Sequence, residues 1–291
     1  MEKDAGRLVR GVTDLPPVPL VASRVMALVQ ERRTTADSLA RVVSTDQALT
    51  GKLIRMSNSA ELAFGRRCST VKEAVHLLGF LQVRQVAVAS SLMGLFDGTL
   101  PNETWFDADL FWAHSLTVAV AAEMLAKSTG KAKPDDAFTA GILHDIGRLV
   151  IRRALPAEFR AAGEMALESG IPIHEAELTT TGYSHERVGR ALARQWQFPS
   201  PLVTAIATHH DESLTVDEHG LRGIVAVADR MVLRAGITCG YYGEQSEPQP
   251  MDAELESAER LAGGMTAVLS KAAWFMDGTL GPPARPAAAT G

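Results

Sequence analysis

The chain has 291 residues, 46% of them hydrophobic, with a formal net charge of −5 at pH 7 and only two cysteines, Cys68 and Cys239. That is apolar material enough for one large domain or two ordinary ones. It excludes a disulfide framework, a cysteine-type zinc site and a strongly basic nucleic-acid binder, and fits a reducing, cytoplasmic setting. The residues Met1 to Arg7 are charged and lack the apolar core of a secretory signal. No uninterrupted apolar run approaches the roughly 18 residues of a membrane span. The first hundred residues carry 13 Lys and Arg against 9 Asp and Glu, the remainder 16 against 25. That asymmetry suggests two lobes with different surfaces.

Helical apolar periodicity runs through nearly every segment, and strand-like alternation is scarce, so the expected class is all-α. After Pro16-Pro17-Val18-Pro19, the residues Leu20, Val21, Val25, Leu28 and Val29 share one face. A second helix spans about 36–44, with Leu39, Val42 and Val43. Asp46 is placed to cap a third, bearing Leu49, Leu53, Ile54 and Met56. Thr70-Val71-Lys72-Glu73 is a capping-box pattern opening a helix through Leu78, closed by Gly79. A buried helix follows over about 81–95. The break Asp97-Gly98-Thr99-Leu100-Pro101-Asn102 sets the lobe boundary, giving lobes of 1–100 and 101–278 and a disordered tail over 279–291.

In the second lobe Asp107 caps a long helix to about Lys127, and Pro134 starts a helix expected to carry His144 and Asp145. Further helices are expected over about 156–168, 173–180, 184–197, 201–210, 218–234 and 252–270.

The adjacent His144 and Asp145 offer a neutral nitrogen and an anionic oxygen ligand from consecutive positions, a pair suited to a divalent metal that activates water. His114, His185, His209, His210 and Asp229 lie in the same lobe, each within an otherwise apolar or small-residue stretch. A polar group aimed inward there needs a partner, and a shared metal would serve several at once. The competing reading is a structural polar network, with His185 bracing its helix start. If His209 and His210 sit on a helix they point about 100° apart, and so serve neighbouring metals rather than one. His76, His174 and His219 read as structural or surface histidines, and Arg148 reads as an ion-pair partner or a phosphate contact.

His114, then His144-Asp145, then Asp229 resembles the ligand order of the HD-domain metal-dependent phosphohydrolases. His185 and His209-His210 extend the resemblance to the HD-GYP branch, the cyclic di-GMP phosphodiesterases. By that resemblance Arg148 stands where the branch has a phosphate-contacting Lys, and Asp145 with Arg148 would be the catalytic pair. The chain departs from it after His209-His210, reading Asp211-Glu212-Ser213-Leu214 where that branch carries its Gly-Tyr-Pro element, and Leu110 offers no carboxylate one turn before His114. The first lobe looks like the opening of an HDOD domain, in Leu15-Pro16-Pro17-Val18-Pro19, in the run from Ser44 through Asn58-Ser59-Ala60, and in Ala74-Val75-His76-Leu77-Leu78-Gly79. Trp196 and Pro199 agree, and the likeness covers roughly 12–235.

That resemblance implies a two-lobe helical fold and a bacterial signal-transduction module, working through a signalling protein partner or a small nucleotide ligand. It also implies a retained site for one or two divalent ions (iron, manganese or zinc). The alternative is a phosphohydrolase acting on a nucleotide or cyclic dinucleotide. A third reading is DNA binding through the helix-turn-helix-like segment around Ser44-Thr45-Asp46 with Arg41, Lys52 and Arg55, whose basic residues are sparse.

Overall fold

Side-chain caps and glycines cut the apolar periodicity into short helices. The computed structural model describes residues 3–12, 20–30, 35–58, 67–96, 105–241 and 250–279. The stretch expected as the first lobe contains α2 (Leu20–Gln30), α3 (Ala36–Val43), α4 (Gln47–Ser57), α5 (Val71–Leu78) and α6 (Phe80–Phe96), preceded by α1 (Ala5–Gly11). The second contains α7 (Ala108–Thr129), α8 (Pro134–Leu143), α9 (Ile146–Ala154), α10 (Pro156–Ser169), α11 (Ile173–Thr181) and α12 (His185–Gln195). It continues through α13 (Ser200–Ile206), α14 (Val216–His219), α15 (Leu221–Arg234), α16 (Ala253–Leu261) and α17 (Met265–Thr279). Among the described residues the only β pairing is an isolated bridge between Phe106 and Tyr241.

The expected caps are present. Asp46 accepts from the Leu49 amide, Asp107 from the Asp109 and Leu110 amides, and Thr70 and Glu73 close a reciprocal capping box. Gly79 ends α5 at φ 88°. Asn58 clamps the approach to α5: its side chain bonds the Cys68 amide and carbonyl and the Ile54 carbonyl. The expectations at Leu15–Pro19, Ser59-Ala60, the 97–102 boundary and the tail beyond Thr279 lie outside the described residues.

Four expectations need correction. α1 was not foreseen; Asp4 caps it, and it packs on α12. The 218–234 helix is two, divided at Gly220 (φ 54°), and the 252–270 helix is two, divided at Gly263-Gly264. Positive φ at these glycines turns the chain where a side chain would resist. The helix begun by Pro134 stops at Leu143, leaving His144 and Asp145 at the α8–α9 junction. The fourth falls at His209-His210, which follow α13 in a turn rather than ending a helix.

The long helix α7 is the axis of the second lobe, with α8, α15, α16 and α17 packed around it. α9 crosses α12, and α10 pairs with α11. In the first lobe α6 packs on α2, α3, α4 and α5, and is buried along most of its length. The lobes share one continuous apolar core: α6 meets α8, and α17 reaches α4 and α6. Lys52, one of the cations in the helix-turn-helix-like reading, donates to the Thr279 carbonyl at 2.7 Å. Among the described residues no single helix is long and apolar enough to cross a membrane.

Two contacts fix where the site stands. A Cβ on Gly147 would lie 2.0 Å from the His185 carbonyl oxygen and 2.7 Å from the Gly189 amide, so α9 and α12 touch backbone to backbone. Between the lobes, Arg84 on α6 pairs with Asp135 on α8. Burial pushes the Asp135 carboxyl up and the Arg84 guanidinium down, so each charge is held at a desolvation cost that the other offsets.

Gly147→Ala should therefore destabilise by about 3 kcal/mol by overpacking. Gly94→Ala, where a Cβ meets nothing within 4 Å, should be neutral or stabilising; paired thermal melts check the contrast. Asp135→Asn strands a buried guanidinium and should cost about 3 kcal/mol, while Arg84→Met with Asp135→Leu should recover most of it. Urea midpoints decide this: a double variant as weak as the single would mean the charges themselves are needed.

Candidate metal centre

Asp145 leaves helical geometry at φ −96°, ψ 4°. The turn frees His144 and Asp145 from helical spacing, so consecutive side chains enter one volume. α7 brings His114, the start of α12 brings His185, the turn after α13 brings His209 and His210, and the middle of α15 brings Asp229. All seven sequence-predicted ligands converge, and all but His210 are buried.

They form two groups: His114, His144 and Asp229, and Asp145, His185, His209 and His210. Because His209 and His210 sit in a turn, the 100° argument does not apply, and both join the same group. Asp145 links the groups. Its Oδ2 is 3.5 Å from His144 Nε2 and 3.8 Å from His114 Nε2, and its Oδ1 is 3.2 Å from His185 Nε2 and 3.4 Å from His209 Nε2. Asp229 Oδ1 lies 3.2 Å from His114 and 3.5 Å from His144, and its Oδ2 3.7 Å from His210 Nδ1.

The imidazoles are oriented from behind. Nδ1 of His144 meets the Gly141 carbonyl at 2.6 Å, that of His209 the Ile206 carbonyl at 2.9 Å, and that of His114 the Ile237 carbonyl at 3.0 Å. His185 Nδ1 meets Glu177 Oε2 at 2.5 Å. These acceptors assign the proton to Nδ1 and leave the Nε2 lone pair facing inward, the arrangement that prepares imidazole for a metal. The Nε2 atoms of His114 and His144 are 3.3 Å apart, and those of His185 and His209 3.1 Å. Two ligands about 2.1 Å from one ion, at tetrahedral or octahedral angles, stand about 3.0–3.4 Å apart. Asp145 Oδ1, both Asp229 oxygens and His210 Nε2 are buried without a hydrogen bond. The donor set therefore fits divalent metal on both spacing and unmet bonding capacity.

Electrostatics favour ionised carboxylates. Burial would raise Asp145, but Arg148 and then His144 hold it well below the usual carboxylate range. Burial would likewise raise Asp229, which His114 and His144 pull well below it. Burial pushes His209 down and His210 well down, keeping both neutral. His185 is opposed by burial and Arg148, yet Glu177 and Asp145 lift it to about 9.

Arg148 is buried and paired with Asp145 Oδ2 at 2.5 Å, with its Nε 3.0 Å from Glu177 Oε1. Sequence reasoning missed Glu177 and Tyr241, whose hydroxyl donates to Glu177 Oε1 at 3.1 Å. The signal for Glu177 was present: four residues after Ile173 and beside Ala176, it falls on the apolar face of α11. His174, read as structural or surface, stacks on His210 with ring centroids 4.3 Å apart.

Among solved structures, an HDOD domain protein of unknown function from Geobacter sulfurreducens is 26% identical, with TM-score 0.73, and the alignment covers 94% of this chain and 98% of that one. A "putative phosphohydrolase" from Shewanella amazonensis is 27% identical, with TM-score 0.65 and 94% of each chain covered. An uncharacterized protein of Treponema pallidum is 26% identical over 210 residues, 72% of this chain, which spans only 40% of that relative's length. Residues 15–212 match the HDOD domain model, more than half of the sequence, and the chain belongs to the HDOD domain family.

Proposed function

We propose that this chain is a bacterial, cytoplasmic signal-transduction module whose second lobe holds one or two divalent ions (iron, manganese or zinc), and which acts by binding a protein or small ligand rather than by turnover. The observation that carries the metal is the common orientation of His114, His144, His185 and His209, each anchored at Nδ1 and aiming Nε2 at Asp145 or Asp229. His114, His144 and Asp229 would hold one ion and His185, His209 and His210 a second, with Asp145 between them.

The regulatory preference rests on burial and on Arg148. Six of the seven ligands are closed off from solvent, and only His210, with a side chain 15% exposed, reaches toward the surface. Arg148, which would have to reach phosphate, is turned inward onto Asp145 and Glu177. A second reading, a phosphohydrolase, is favoured by the division of the ligands into two groups linked by one carboxylate, and by likeness to the Shewanella protein. A metal pair would then polarise phosphate and lower the pKa of attacking water; Asp145 would fix the ion spacing, and Arg148 would have to leave Glu177 to contact substrate.

Elemental analysis of the purified protein should find about one to two equivalents of transition metal. His144→Ala and Asp145→Ala should each lower that content severalfold, and exchange at exposed His76 should not. A wild-type protein that neither carries nor takes up metal sinks the metal reading. Metal-loaded protein should leave bis(p-nitrophenyl) phosphate intact; turnover abolished by Asp145→Ala would move the assignment to the hydrolase.

Proton and metal compete for His185 Nε2. With that imidazole raised to about 9, metal uptake near neutral pH should release a proton, and apparent affinity should strengthen as pH rises toward 9. Calorimetric titration in buffers of different ionisation enthalpy measures the release, and a pH-independent affinity would contradict the assignment of His185.

A further inference from the structure

α12 presents two faces. His185, Val188, Gly189, Leu192 and Ala193 face inward, while Arg187, Arg190 and Arg194 are exposed. Their spacing of three and four places them on one side, over about 10 Å of helix. This side and α1 form the walls of a cleft of about 970 Å³, to which α1 adds Arg10; Lys3, just before α1, also lines it and donates to the Thr181 carbonyl at 2.9 Å. A smaller cavity of about 350 Å³ continues from it past Arg190 and Arg194 to Phe198 and Val203.

The charge here runs against the rest of the lobe. Beyond residue 100 the chain carries 16 basic against 25 acidic residues, yet among the described residues the only acidic one lining the cleft is Asp4. Asp4 is engaged in capping α1 through the Gly6 amide, and lies 4.0 Å from Arg10. Like charges gathered in a concave surface repel one another and focus a positive potential into it. Among the described residues no aromatic ring lines the main cleft, so they offer no platform for stacked bases. The adjoining cavity sets Phe198 and Val203 among Ser200, Thr204 and Thr208, a small apolar spot in a polar rim.

We infer that the α1–α12 cleft docks an acidic peptide segment of a partner protein, carboxylates against Arg190 and Arg194, and an apolar side chain against Phe198 and Val203. Guanidinium groups pair with carboxylates through two parallel hydrogen bonds, and Arg190 and Arg194, about 6 Å apart along the helix, match carboxylates two residues apart on an extended chain. The inference deepens the signalling reading by giving its protein partner a place and a chemistry, and it does not depend on metal.

The test uses the full chain and a fluorescein-labelled Glu-rich dodecapeptide with a central Leu, read by anisotropy at low and moderate salt. Wild type should bind it. Arg190→Glu with Arg194→Glu should weaken binding at least about tenfold, Arg190→Lys with Arg194→Lys should retain most of it, and added salt should weaken it. A Gln-for-Glu peptide should not bind. Replacing the Leu by Ser should weaken binding, and Phe198→Ala should remove that difference. The exchanged arginines are exposed, so melting temperature and metal content should match wild type; a charge-reversed protein that loses binding with both unchanged isolates the cleft. No binding by wild type, binding indifferent to charge reversal, or a DNA duplex or tripolyphosphate displacing the peptide at lower concentration than unlabelled peptide would each overturn the inference. Peptide binding by a protein that takes up no metal would sink the metal site and leave the cleft standing.

Discussion

A charged group taken out of water must find partners or surrender its charge. Glu177 is fully buried, and three groups hold it: His185 Nδ1, the Tyr241 hydroxyl and the Arg148 guanidinium. Burial alone would push its carboxyl up; Arg148 and His185 bring it down and keep it ionised. Arg148 extends the chain of charge to Asp145, and Asp145 to both groups of imidazoles. The candidate metal ligands are thus the inner end of a buried ionic network whose outer end is α11.

The fold was legible wherever local chemistry decides it. Asp46, Thr70 with Glu73, and Asp107 cap the helices they were expected to cap, because a side-chain acceptor three residues from an amide works in almost any surroundings. The seven ligands were legible as residue types, because polar side chains on apolar faces stand out. What the sequence did not disclose was direction. Apolar periodicity ran through His144-Asp145 and toward His209-His210, yet both pairs lie in turns, where the helical spacing of adjacent side chains no longer holds. Whether a periodic stretch continues or breaks there depends on tertiary contact: Gly147 against the α12 backbone fixes the course of α9, and no local propensity encodes that distance. Glu177 and Tyr241 stayed hidden for a related reason, since their partners are 8 to 64 residues away.

The same site geometry is compatible with a catalyst and with a binding module, and the difference lies in access. Catalysis on phosphate needs an open metal coordination position and a cation free to meet the developing charge. Here Arg148 is neutralised by two carboxylates, and the rings of His174 and His210 stack at the least buried ligand. Opening the site would mean moving α11, which carries both His174 and Glu177, and would expose the network that keeps Asp145 ionised. A closed centre of this kind is better suited to holding helices together than to exchanging substrate and product.

α12 joins that centre to the surface. Its first residue is His185, and its opposite face is the arginine stripe. Gly147 and Gly189 let α9 and α12 meet with no side chain between them, so the two helices have little freedom to slide independently. The spacing of His185 from Asp145 and His209, 3.2 and 3.1 Å, is set by where α12 begins, and a displacement of an ångström there would take the donors out of range of a common ion. Occupation of the cleft, as inferred, would therefore act on His185 through α12. A metal at His185, as proposed, would in turn hold α12 in one position, because coupling between two sites on a shared rigid element is reciprocal. The first lobe is tied into this frame through α8, where Asp135 meets Arg84 and where the chain goes directly on to His144. The α1–α12 cleft, the buried centre and α6 are thus joined through α12, α9 and α8, and a chain built this way would transmit a binding event, as proposed, without performing a reaction.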